Sequence, residues 1–148
     1  MAGLMDLYTI GFTKKTAEEF FGLLKKNRVR VLIDTRLNNK SQLAGFTKED
    51  DLRFFLKEIC SIEYKHIPLF APTEDILKKY QAKRMTWEQY EKEYNALLVE
   101  RQVKDKISPA ELDRACLLCS EHSPTQCHRR LLAEYLVSYY PEIKVIHI

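Results

Sequence analysis

Short apolar runs alternate with longer amphipathic stretches from one end of the chain to the other. "LYTIGF" (residues 7–12), "VRVLIDTR" (29–36), "IEYKHIP" (62–68), "ACLLCS" (115–120) and the closing "KVIHI" (144–148) are short and rich in β-branched or apolar residues. They predict five strands. Between the first two, Ala17, Phe20, Phe21 and Leu24 recur at helical spacing behind Thr16 and Glu19, which stand at capping-box distance. Thr47 opens a second predicted helix with Leu52, Phe55, Leu56 and Ile59 on one face. A short helix is expected over 73–80. A long one follows behind Thr86 and Gln89, with Trp87, Tyr90, Tyr94, Leu97 and Leu98 inward. Ser123, Pro124 and Gln126 form the strongest helix-start signal of the sequence: cap, first-turn proline and third-position glutamine. Leu131, Leu132, Tyr135, Leu136 and Tyr139 supply the buried face of that last helix. Strands alternating with helices predict a single compact α/β domain over 1–148, with a mostly parallel sheet of about five strands and helices on both faces.

Composition adds limits more than direction. Hydrophobic residues make up 45% of 148, enough for a core, and the net charge of +3 does not by itself call for nucleic acid. No run approaches the roughly 20 apolar residues of a membrane span, and no leader peptide is evident, so a cytoplasmic protein with no membrane partner is expected. In that setting the four cysteines are expected as thiols rather than as a disulfide framework, with Cys60 in the core. There is no GxxxxGK[ST], GxGxxG or GxSxG, which argues against P-loop, dinucleotide and α/β-hydrolase chemistry.

Ligands of parallel sheets bind beyond the carboxyl ends of the strands. Thr13 follows the first predicted strand, Asp34 and Arg36 close the second, His66 ends the third, and Cys119 and Glu121 lie at the end of the fourth. The polar loop 36–47 after the second strand is either a ligand-covering loop or a plain surface connection. Asp34 and Glu121 would make an acid–base pair; Asp34 with Arg36 would equally make a structural ion pair.

"CSEHSPTQCHRR" (119–130) concentrates the chemistry. Zinc at Cys119, Cys127 and His128 is the minority reading. Cys116 and Cys119 point to opposite faces of a strand, and Cys127 and His128, as helix neighbours, stand about 100° apart. Metal is therefore not expected, and no cofactor is assigned. Cys119, entering a loop ahead of a helix N-terminus with Arg129 near, is placed for an activated thiolate, against the plainer reading of buried inert cysteines. The helix start with Arg129 also suits an anion. His128 faces the sheet as a core histidine or as an acid, base or donor, and Arg130 points to solvent. Thr125 stands where a phosphatase-type cysteine loop carries arginine, which weakens that reading.

"TIGFT" (9–13), "LIDTR" (32–36) with Ser41 downstream, "YKHIP" around His66 and "LLCSE…CHRR" (117–130) together resemble domain-of-unknown-function family 488. Thr35 departs from the Val or Ile usual inside that family's D-x-R element, and Cys116 and His122 lie outside its pattern. The resemblance implies a compact α/β domain whose recurrent polar residues are Asp34, Arg36, Ser41, Cys119, Glu121, Cys127, His128 and Arg129. It implies no substrate.

These readings converge on an enzyme acting on a phosphate-bearing ligand, a nucleotide or nucleic-acid component. Asp34, Cys119, Glu121 and His128 are the candidate catalytic groups; Thr13, Arg36, Ser41, His66, Cys127 and Arg129 are the candidate binding groups. The rivals are a non-catalytic nucleotide or nucleic-acid binding module and a metal-binding or redox-sensing domain.

Overall fold

The computed structural model describes residues 4–40, 45–120 and 125–148. Five parallel strands, β1 (Met5–Gly11), β2 (Val31–Asp34), β3 (Glu63–His66), β4 (Ala115–Cys119) and β5 (Ile143–His147), form one sheet in the order β3-β2-β4-β1-β5. Among the described residues there are six α-helices: α1 (Ala17–Lys26), α2 (Glu49–Phe55), α3 (Glu74–Gln81), α4 (Trp87–Glu100), α5 (Pro109–Leu112) and α6 (His128–Tyr139). The expected α/β architecture is the observed one, and the sheet is parallel throughout.

Alternation along the strands sorts the core into two layers. Leu7, Val31, Ile33, Ala115 and Leu117 pack on one side with Tyr94 and Leu98 of α4 and Leu132 and Leu136 of α6. Tyr8, Ile10, Leu32, Cys116 and Leu118 pack on the other with Phe20 and Leu24 of α1 and Leu52 of α2. Cys116 and Cys119 thus face opposite ways, as strand geometry requires.

The capping boxes at Thr16/Glu19 and Thr86/Gln89 are both formed, and Thr73 caps α3. Four local expectations fail. The last helix begins at His128, with Cys127 as its extended N-cap; Thr125 and Gln126 form a turn, and Ser123 and Pro124 lie outside the described residues. Thr47 ends a short 3-10 turn rather than capping α2, which starts after Lys48. The wider π turn Leu56–Cys60 that continues α2 bonds i to i+5, so the helical phase slips. Leu52 and Leu56 stay fully buried while Ile59 swings out to 44% exposure. Tyr139, expected inward, is 42% exposed where α6 runs out. Cys60 is half-buried beside the α1/α2 layer.

No helix of the described residues is long and apolar enough to cross a membrane.

Candidate functional site at the strand ends

The strand order places a switch point between β2 and β4. The chain leaving β2 turns outward to β3, and the chain leaving β4 turns the other way, past β1 to β5. Diverging connections open a crevice at the carboxyl ends of the two strands, the usual place for a ligand in an open α/β sheet. A cavity of about 270 Å³ lies there, lined by Arg36 and Leu37 after β2, Ser120 after β4, His128 at the start of α6, and Pro72 and Leu77 at α3.

Asp34 and Arg36 form a buried, two-pronged ion pair. Arg36 donates from Nε to Oδ1 and from Nη2 to Oδ2, both at 2.8 Å, and its backbone N–H adds a 3.1 Å bond to Oδ1. The Tyr64 hydroxyl donates to Oδ2 at 2.6 Å and itself accepts from Asn39 at 3.0 Å. Four donors fill the acceptor sites of the Asp34 carboxylate, which is fully buried. Burial and the bond to Asp34 push the Tyr64 hydroxyl well above its usual range. Arg36 also donates to the Thr47 carbonyl at 2.7 Å and sits 5.4 Å from the centre of the Phe12 ring. Its Nη1 is buried and has no hydrogen-bond partner among the described residues. An unpaired guanidinium nitrogen in a residue 5% exposed is uncommon, because an unmet buried donor costs roughly 1–3 kcal/mol.

His128 reaches across from α6 to the end of β2. Its Nε2 lies 3.0 Å from the Thr35 carbonyl and 3.0 Å from the Thr35 hydroxyl, which in turn donates to the Leu118 carbonyl. A carbonyl accepts only, so Nε2 carries the hydrogen and Nδ1 is the unprotonated nitrogen. Tyr94 meets the ring edge-on at 5.5 Å. Burial, with Arg129 adding to it, lowers the imidazole from its usual value to about 4, so it is neutral at pH 7.

Cys119 and Cys127 are bonded through their sulfurs, in contrast to the expectation of free thiols. Arg129 is buried and directs Nη1 at both, 3.6 Å from Cys119 Sγ and 3.8 Å from Cys127 Sγ, while its Nε donates to Thr9 at 3.2 Å. The ligand atoms of Cys119, Cys127 and His128 all lie within 4.8 Å of one another. The helical objection to zinc falls away, because Cys127 precedes α6 with extended backbone and is not on the same turn as His128. Two thiolates and an imidazole match zinc's ligand preferences, but only with the sulfur–sulfur bond open.

Residues 16–136 match the family described as "Domain of unknown function DUF488". The chain belongs to DUF488. No curated protein matches it, and no solved structure does.

The remaining expected residues of this DUF488 chain fall at varied distances from the crevice. Thr13 donates from its backbone N–H at 3.0 Å, and from its hydroxyl, to the Ser120 carbonyl, tying the β1 exit to the β4 exit. His66 donates from Nε2 to the Arg36 carbonyl at 2.7 Å. It lines an adjoining cavity of about 480 Å³ with Asn38, Asn39 and Glu49, and Leu37 and Asn38 border both cavities. Arg130 is half-buried rather than solvated, and pairs with Glu134 at 3.1 Å and Glu91 at 3.8 Å. Ser41 and Glu121 lie outside the described residues.

Tyr64, Asn39 and Thr9 are not marked as site residues by the sequence, while Thr35 and Ser120 stand at predicted strand ends without being candidate site residues. Parity carried a signal for one of them: Tyr64 shares a face with Ile62, and Asp34 with Leu32. Only the observed pairing of β2 with β3 turns that into a contact.

Proposed function

We propose that the crevice between β2 and β4 receives the anionic group of a phosphate-bearing ligand, a nucleotide or nucleic-acid component, and that the domain acts on that ligand. One observation carries the reading: Arg36 lines the cavity, is held rigid by Asp34, and keeps a buried Nη1 without a hydrogen-bond partner among the described residues. A guanidinium fixed on one edge by a carboxylate presents its other donors in set directions, which suits phosphate oxygens. The first turn of α6 adds backbone N–H groups beside the same cavity, with no side-chain cap from Cys127 competing for them. His128, neutral and with Nδ1 unprotonated, is the proton acceptor of the site. Asp34 then serves as a positioning group for Arg36. The filled acceptor set of Asp34 also favours a rival, a binding module without turnover.

The test is titration of labelled protein with inorganic phosphate and with nucleoside monophosphates, read by amide chemical shifts. Saturable shifts centred on Arg36, Leu37, Ser120 and His128 are expected. The double variant Asp34→Asn/Arg36→Gln, which leaves neither partner unpaired, is expected to lose them. Shifts elsewhere, or undiminished binding in a folded double variant, would sink the reading. Turnover that His128→Gln slows without weakening binding separates enzyme from module.

A further inference from the structure

We propose that Cys119 and Cys127 form a redox-active dithiol that closes and opens by exchange with low-molecular-weight thiols and disulfides. The inference stands on the sulfur pair and its surroundings and does not use the anion reading.

Three features set this pair apart from the other cysteines. The sulfurs are bonded to one another across the gap between the end of β4 and the start of α6. One buried guanidinium, that of Arg129, faces both sulfurs from within 4 Å. A positive charge held away from water stabilises a thiolate more strongly than a surface cation does. Cys127 is also the N-cap of a helix of 12 residues, where the first-turn N–H groups favour negative charge. Cys116 lies on the opposite face of β4, in the α1/α2 layer, and burial pushes its thiol far up. Cys60 is half-buried and likewise shifted up by burial.

The backbone spacing is wide for a disulfide. The Cα atoms of Cys119 and Cys127 stand 7.6 Å apart, wider than the roughly 4.4–6.8 Å of most disulfides. At a spacing above about 7 Å the bond forms only with backbone movement, so closing and opening shift the chain at the β4 exit or the α6 start. Cys119 and Cys127 are themselves only 1% and 3% exposed. Ser120 and His128, the chain neighbours of the two cysteines, line the 270 Å³ cavity.

One cysteine releases its proton, and its thiolate attacks a sulfur of a disulfide RSSR. The RS–SR bond breaks, a protein–SR mixed disulfide forms, and RS⁻ leaves and takes up a proton. The second cysteine, deprotonated in turn, attacks the protein sulfur of that mixed disulfide. The Cys119–Cys127 bond forms, and the second RS⁻ leaves and is protonated. Two protein thiols have lost two electrons, and one RSSR has become two RSH.

The full chain equilibrated in reduced and oxidised glutathione at varied ratio, then quenched by alkylation under denaturing conditions, tests this by intact mass and fragment mapping. The number of alkylated cysteines is expected to fall from all 4 to the Cys60 and Cys116 pair in one transition. The bridge should map to Cys119–Cys127, and a return to reducing buffer should open it. Cys119→Ser and Cys127→Ser are each expected to abolish the transition and trap glutathione on the remaining cysteine. The wild-type map needs no variant, so a variant that does not fold leaves the test intact. Full alkylation at every ratio, a bridge to Cys60 or Cys116, or a bridge that fails to reopen overturns the proposal. So does stoichiometric zinc in freshly reduced protein that blocks oxidation until it is chelated.

Discussion

Removing the Arg36 side chain tests whether Asp34 is a support for that arginine. In Arg36→Gln the carboxylate loses two side-chain bonds at 2.8 Å and its counter-charge, and keeps the Tyr64 hydroxyl and one backbone N–H. Asp34 is wholly buried, so water does not replace what is lost. Breaking a buried pair by deleting one partner costs about 3–5 kcal/mol, a large share of the roughly 5–15 kcal/mol that holds a domain folded. At about 2–4 °C per kcal/mol for a chain near this size, the melting temperature is expected to fall by about 6–20 °C. Asp34→Asn/Arg36→Gln neutralises both partners and should recover part of the loss, a coupling of about 1–3 kcal/mol. Urea unfolding followed by fluorescence is the assay. The single tryptophan, Trp87, stacks on Tyr90 at 5.0 Å at the start of α4, away from the pair, and reports global unfolding. A loss under about 1 kcal/mol for the single variant, or strict additivity in the double, refutes the argument.

Three further outcomes follow from the same structure. The His128 imidazole is held at about 4, against roughly 6.5 when solvated, so the unfolded chain takes up the proton first as the pH falls. The stabilisation is complete above pH 6.5 and is lost on the way down to 4, by about 3 kcal/mol at 1.36 kcal/mol per unit; His128→Gln should flatten that arm of the urea profile, and an unchanged slope rules it out. Native-state alkylation should label Cys60 before Cys116, which has no exposed surface and whose thiol burial keeps protonated; labelling of Cys116 without unfolding contradicts its placement. The π turn predicts that Ile59→Asp is nearly neutral while Leu56→Ala costs about 2–5 kcal/mol; equal losses at both positions would restore an ordinary α-helical phase.

What was legible in the sequence was local. Thr16 with Glu19 and Thr86 with Gln89 start helices through bonds spanning three residues, and both boxes are formed as the spacing predicts. Strand parity, also local, put Cys116 and Cys119 on opposite faces. The start of α6 departs from its local signal for the opposite reason. Ser123, Pro124 and Gln126 carry a strong local signal, yet Thr125 and Gln126 form a turn and the helix waits until His128. Cys127 is extended there and its sulfur meets Cys119, from another element, so a tertiary contact accompanies the later start. The π turn after α2 was illegible because nothing in "LKEIC" marks a change of helical period. Asp34 read equally well as an acid or an ion pair until β3 was seen beside β2, because Tyr64 fills the last acceptor site from a strand whose neighbour the sequence does not name.

Parity also separates the chemistry of the crevice into two compartments. Asp34 shares the face of Leu32, toward α1 and α2, and its ion pair with Arg36 is built there with Tyr64, Asn39 and Phe12. Cys119 shares the face of Leu117, toward α4 and α6, and Arg129 joins it from that side with Thr9. The two buried arginines therefore serve different partners on opposite faces of one sheet. The shared elements are the cavity over the strand ends and the bond from His128 to Thr35, which ties α6 to the exit of β2. A one-residue slip in β2 or β4 would exchange the compartments, because each side chain would then point to the other face. The arrangement makes the anion and dithiol readings separable. Neutralising Asp34 and Arg36 leaves the sulfur pair and Arg129 in place, and Cys119→Ser leaves both the Asp34–Arg36–Tyr64 network and the uncapped first turn of α6 whole, so neither set of variants removes the groups that the other reading needs.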